Sequence, residues 1–141
     1  MARTLLDLAK SMERRAAALP AGPNALAIDV ARAILADFGR ISPVDTSLFV
    51  SNWQVTLDGK PMTYRPAYFY GELGSTRGAS VGAMLADGEA VLATKKPGQR
   101  IYISNVLPYA HVLDTGHAKQ GPIGFRARAA LIGRKMVAKN G

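Results

Sequence analysis

His111 and His117 flank Asp114, three residues away on either side. Imidazole and carboxylate are metal-ligating groups, and His-x2-Asp-x2-His on one loop would offer three donors. Gly116 is placed to end a short helix between the two histidines, which would turn His117 away from His111. No third histidine and no cysteine is present to complete a ligand set. The pair therefore reads as surface or interface histidines, with no metal.

Other constellations lead to the same place. Nothing resembles a nucleophile elbow, so a serine triad has no starting point. Gly71, Gly74 and Gly78 form G-x2-G-x3-G, but no Lys-Ser/Thr follows and the preceding strand is doubtful, which rejects a phosphate or dinucleotide loop. Asp87 and Glu89 lie two apart on a presumed helix and diverge, so they read as solvated charge rather than a paired acid and base. The sequence contains no cysteine, which removes disulfides, thiolate zinc sites and cysteine nucleophiles. The expectation is a protein that is not an enzyme, with no catalytic residue and no cofactor.

Charge is the strongest compositional signal. Eighteen Lys+Arg against ten Asp+Glu give +8, which favours acidic partners. After Asp114 there is no acid, but there are Lys119, Arg126, Arg128, Arg134, Lys135 and Lys139. On a terminal helix, Arg126, Arg128, Arg134, Lys135 and Lys139 would form a basic surface for an acidic partner or for DNA phosphates. The plainer alternative is a solvated helix face whose last charges complement the helix dipole. Tyr64, Tyr68, Phe69 and Tyr70 could stack on bases. They sit in a stretch without strand alternation, so interface anchors or core plugs fit them better.

The elements that must carry these residues follow from periodicity. Leu5, Leu8, Met12, Ala16 and Leu19 predict a helix over 4–19, with Thr4 as cap and Pro20 beyond its end. After the turn Pro20–Pro23, a second helix is expected over about 25–38, capped by Asn24 and closed by Gly39 as a left-handed C-cap. The two suggest an αα-hairpin or two helices on a sheet. Asp45 or Thr46 would cap a short helical turn reaching Ser51. Trp53, Val55 and Leu57 alternate in a strand closed by Asp58-Gly59. Residues 59–78 read as an extended aromatic loop and 79–94 as a glycine-diluted helix. Arg100–Ser104 reads as a strand, Pro108–Leu113 as one or two helical turns ended by Gly116, and 124–139 as a helix burying Phe125, Ala129, Ile132 and Met136.

At 141 residues, the chain has room for one core of ordinary size, so residues 1–141 are expected to form a single domain. The element order argues against a doubly wound parallel sheet. The expected class is α+β: a small antiparallel or mixed sheet with an N-terminal helix pair and a basic C-terminal helix. No stretch reaches the ~18 apolar residues of a membrane span. Asp7 and Lys10 interrupt any secretory apolar region, so a cytoplasmic site of synthesis and no membrane partner are expected.

Two blocks are more specific. Ser42-Pro-Val-Asp-Thr-Ser-Leu-Phe-Val-Ser-Asn-Trp-Gln-Val55 resembles the P-V-D-T-G-x-L-x-x-S-W-x-V block of small neck proteins of long-tailed bacteriophages, also called tail-completion or minor tail proteins. Ile101-Tyr-Ile-Ser-Asn-Val-Leu-Pro-Tyr-Ala-His-Val-Leu-Asp-Thr-Gly-His-Ala-Lys-Gln-Gly-Pro-Ile-Gly-Phe125 is similar to that family's V-Y-I-x-N-x-x-P-Y-A-x-x-L-E-x-G-x-S-x-Q-A-P-x-G block, which leads into a terminal helix. Ser47 stands where the family often has glycine, Asp114 where it often has glutamate, and Gly121 where alanine is common. The loop at 59–73 has no strong counterpart.

The resemblance implies a virion structural protein at the head–tail junction of a phage or prophage, assembled in the bacterial host cytoplasm. It would form a homo-oligomeric ring, a hexamer to match a tail tube, around the channel through which DNA leaves. Its partners would be neighbouring copies, the connector or head-closure protein, and the tail terminator or tail-tube protein, with transient contact to phage DNA. Head-to-tail contacts of this kind are heterologous and close only if the rotation closes. Tyr64, Tyr68, Phe69, Tyr70, Tyr109 and His117 are the candidate interface residues. The competing readings are a small basic nucleic-acid-binding protein acting alone and a small hydrolase using His111 and His117.

Overall fold

A computed structural model describes residues 22–43, 46–116 and 123–140. Helix α1 spans Pro23–Ile41. Proline occupies its first turn, where a missing N–H costs nothing, and Gly22 is the N-cap without a side-chain bond. Asn24 is therefore not the expected cap. It lies inside the first turn, and its side-chain oxygen accepts a hydrogen bond from Lys95 Nζ. Gly39 does not end the helix either. It is buried within α1, where a Cβ would stand 3.0 Å from Val81 Cγ1 and 3.2 Å from Met84 Cε. The glycine is there for close helix packing. The helix closes at Ser42, whose N–H reaches Phe38 O at 3.0 Å, just before Pro43.

Helix α2 is one turn, Leu48–Ser51. Its N-cap is Ser47, not Thr46, and it makes no side-chain cap bond. Asp45, the other expected cap, lies outside the described residues. Strand β1 (Gln54–Leu57) pairs antiparallel with β2 (Ile101–Ser104), Gln54 opposite Ser104 and Leu57 opposite Ile101. Between them come an irregular stretch with one 3-10 turn at Glu72–Gly74, then α3 over Arg77–Leu92. The loop expected over 59–78 thus stops at Thr76, two residues early. Helix α4 covers Ala110–Thr115 and ends at Gly116 with φ 89°. Helix α5 covers Phe125–Asn140. The helix expected over 4–19 lies outside the described residues, as does His117.

The result is an α+β fold with a two-stranded antiparallel sheet. Helix α1 is central, in contact with α3, α5 and β2, while α3 also packs on β1 and α2. Gly88 allows this: a Cβ there would fall 2.4 Å from Leu35 Cδ2 and 3.2 Å from Val55 Cγ2. The core is aromatic on one side. Phe38, Phe49, Trp53 and Phe125 stack with ring centroids 4.5–5.8 Å apart. Trp53, expected to turn inward, is buried. Its Nε1–H donates to Ser42 Oγ at 2.8 Å, and Ser42 Oγ–H donates to Phe38 O at 2.5 Å. Among the described residues no buried side-chain polar atom lacks a partner, and no helix is long and apolar enough to cross a membrane.

Candidate functional site

The segment from Lys60 to Thr76 carries the largest exposed apolar side chains of the described residues. Met62 is 95% exposed, Leu73 92% and Tyr70 69%, with Tyr64 and Phe69 about half exposed. Such side chains usually retreat from water, and when they cluster they mark an interaction surface. The backbone between Thr63 and Phe69 is tied to polar side chains of the scaffold, which fixes the path on which these side chains stand out.

Asn52 and Ser51, both fully buried at the end of α2, supply the first ties. Asn52 Nδ2 donates to Arg65 O at 2.8 Å, and Arg65 N donates to Asn52 Oδ1 at 2.7 Å. Tyr68 N donates to Ser51 Oγ at 3.0 Å. Ser80, fully buried on α3, accepts from Phe69 N and donates to Phe69 O, both at 3.2 Å. Gln54 on β1 donates to Thr63 O at 3.0 Å. Tyr68 is itself a tie. The Arg65 guanidinium lies 4.9 Å over its ring, and its hydroxyl donates to the Asp87 carboxylate, which Arg65 also meets at 2.9 Å. At the far end Gly71 is required: a Cβ would stand 2.5 Å from Ser75 Oγ and 2.6 Å from Thr76 Cγ2. Leu73 sits at φ 54°, a left-handed conformation that a branched residue rarely adopts.

The energetic consequence is preorganisation. Fixing a free residue costs roughly 1–2 kcal/mol of backbone entropy. A loop already held by buried partners has met most of that cost in folding and can dock without it. The aromatic residues singled out in the sequence thus divide. Tyr64, Phe69 and Tyr70 face solvent, whereas Tyr68 anchors the loop. Tyr109 stacks on Phe49 at 5.8 Å with 41% of its surface exposed. Burial of its ring raises the phenol above its ordinary range.

The basic helix divides too. Arg128 is committed to the scaffold: its Nε and Nη2 meet the two carboxylate oxygens of Asp37 at 2.7 and 2.8 Å. Hydrogen bonding from Arg128, reinforced by Arg40, holds the Asp37 carboxyl below its usual range. Arg126 is 84% exposed and reaches Asp114 at 3.5 Å. Arg134, Lys135 and Lys139 are exposed. Asp114 is likewise structural. Its Oδ1 accepts from Arg126 N at 3.3 Å at the start of α5, so it seats that helix rather than pairing with His111. Among the described residues no group of three His, Asp or Glu could hold a metal ion.

A second surface is concave. Among the described residues a groove of about 1350 Å³ runs between α1, β2, α4 and α5, with Leu26, Val30, Ile34, Ile101 and Ile103 on its apolar walls. Sequence reasoning missed it, since its walls come from four separate elements. It also missed Met62 and Leu73, which only the fixed path of the loop exposes. Comparison with known protein families, curated proteins and solved structures finds no match to the chain.

Proposed function

We propose that the chain is a structural subunit of the head–tail junction of a tailed bacteriophage or prophage, building a ring around the DNA exit channel. Its partners are neighbouring copies, the connector or head-closure protein on one side, and the tail terminator or tail tube on the other. No residue is given a catalytic role. The observation that carries the reading is the exposed apolar loop held rigid by Asn52, Ser51 and Ser80, which suits a protein whose work is to bind other subunits.

The path of the chain at Ser47 lends support. In the resembling phage block this position is often glycine. Here it adopts φ 70°, the left-handed region that glycine enters without cost. The likeness of the blocks therefore extends to a backbone requirement. Asn105, the asparagine of the second block, donates to Phe49 O at 3.0 Å and accepts from Leu107 N at 3.3 Å. It thereby fixes the exit of β2 against α2, so the two blocks meet in space.

Light scattering across a concentration series, with negative-stain imaging of the same sample, tests the proposal. A ring of six 15.0 kDa subunits has a mass of about 90 kDa and a central hole. A compact dimer without a hole would contradict it.

A further inference from the structure

We propose that Lys60, Lys95, Lys96 and Arg100 form a contact site for the phosphate backbone of double-stranded DNA, separate from the basic helix α5. The fold brings them together from two parts of the sequence. Asp58 N donates to Arg100 O at 2.8 Å, continuing the β1–β2 pairing one step past Leu57 and Ile101. Lys60 follows two residues later. Gln99 Nε2 and Arg100 N each donate to one oxygen of Asp58, both at 3.0 Å. Lys96 N donates to Gln99 Oε1 at 2.8 Å. The turn Lys95–Arg100 is thus laced to the end of β1, and Lys60, Lys95 and Arg100 line one end of the groove.

Among the described residues the four cations of this corner form no ion pair. Every ion pair among the described residues uses arginine: Arg32, Arg40, Arg65, Arg126 and Arg128 take Asp29, Asp37, Asp87, Glu89 and Asp114. Lys60, Lys96 and Arg100 are exposed and have no carboxylate partner among the described residues. Lys95 Nζ is held by Asn24 and by Lys96 O, both neutral acceptors. The one acid of the corner among the described residues, Asp58, is bonded to neutral N–H groups of Gln99 and Arg100 and keeps its charge, which leaves four cations against one carboxylate.

The chemistry favours phosphate over an acidic protein face. Three of the four cations are lysines, which protein–protein interfaces deplete while enriching arginine. Lysine serves well as a point charge on phosphate. The single cation–π pair among the described residues is Arg65 on Tyr68, so none of the four cations of the corner is engaged with a ring. Tyr102, the aromatic residue of the same groove, is partly buried on β2 opposite Thr56 rather than presented as a platform for unstacked bases, so the corner suits a duplex backbone. The choice of DNA rests on the head–tail reading above.

Fluorescence anisotropy with a labelled duplex, measured for the full chain from 25 to 200 mM salt, tests it. Each phosphate that is no longer neutralised lowers the slope of log affinity against log salt by about 0.9. The variant Lys60→Gln/Lys96→Gln/Arg100→Gln removes three side chains that make no hydrogen bond or ion pair among the described residues. Its slope is expected to fall by about 2–3, and its affinity at 50 mM salt by at least about tenfold. Arg134→Gln/Lys135→Gln/Lys139→Gln on α5 should change the slope by less than about 1. Equal binding by the corner variant and the parent would overturn the proposal, as would a weakening confined to the α5 variant. Binding of polyglutamate but not duplex would also overturn it and assign an acidic protein instead. Light scattering on the same samples separates the two claims. A parent chain that forms no ring yet binds duplex through the corner keeps this site and removes the ring.

Discussion

The Asn52 carboxamide and the Arg65 backbone exchange two hydrogen bonds, at 2.8 and 2.7 Å, while the same Nδ2 also reaches Leu48 O at 2.8 Å. One buried side chain thus ties the end of a helix to the start of an exposed loop. Asn52→Ala leaves the Arg65 N–H and two carbonyls without this partner, and a destabilisation of about 1–3 kcal/mol is expected. Urea unfolding measures it. Hydrogen exchange should show the Arg65 amide losing protection first, before amides of α1.

Gly88 and Gly82 lie on the same helix and should respond in opposite directions. A Cβ at Gly88 meets Leu35 and Val55, while at Gly82 it meets nothing within 4 Å. Gly88→Ala is expected to destabilise by about 1–2 kcal/mol, overpacking outweighing the helix-propensity gain. Gly82→Ala, on an exposed helix position, should stabilise by about 0.5–1 kcal/mol. Two thermal melts decide it.

Ser47 is buried at φ 70° and its hydroxyl lies 2.9 Å from Thr76 Oγ1. Ser47→Gly and Ser47→Ala both remove that hydrogen bond, but only glycine relieves the backbone. The glycine variant should be more stable than the alanine variant by about 1 kcal/mol. Equal stabilities in chemical denaturation would remove the backbone argument at this position.

The Asp37–Arg128 pair gives a pH dependence. The folded-state value of Asp37 lies below its ordinary range. Its contribution is therefore complete above the unfolded carboxylate value of about 4 and is lost as pH falls through the lower folded value. Asp37→Asn should cost about 1 kcal/mol at pH 7, after allowance for solvent screening of Arg128. The parent and the variant should converge in urea midpoint only once the pH has fallen below the lowered folded-state value of Asp37.

Much of this fold is legible in the sequence where periodicity and turn chemistry agree. The alternation of Trp53, Val55 and Leu57, the end of α4 at Gly116 and the bounds of α5 fall within two residues of expectation, though of the expected buried stripe of α5 only Phe125 is buried and Ala129, Ile132 and Met136 are partly so. The failures share a cause. Gly39, Gly88 and Asn24 carry signals of local conformation, whereas two helices approaching closely need the glycines and Lys95 takes the asparagine. At the candidate site, Tyr64, Phe69 and Tyr70 are legible by type. The ties Ser51, Asn52 and Ser80 are not, because small polar residues in helices give no sign of what they hold. The basic corner is hidden for a similar reason: the run Lys95–Arg100 is local, but Lys60 joins it only through the β1–β2 register.

The most direct test of the assembly reading is sedimentation velocity on the full chain and on Tyr64→Ser/Phe69→Ser/Tyr70→Ser. These three side chains are exposed and bear no scaffold bonds among the described residues, so the variant should melt as the parent does. The account predicts a ring of about 90 kDa for the parent and a 15.0 kDa monomer for the variant. A parent that stays monomeric at every concentration, or a variant that keeps the oligomer, would contradict it.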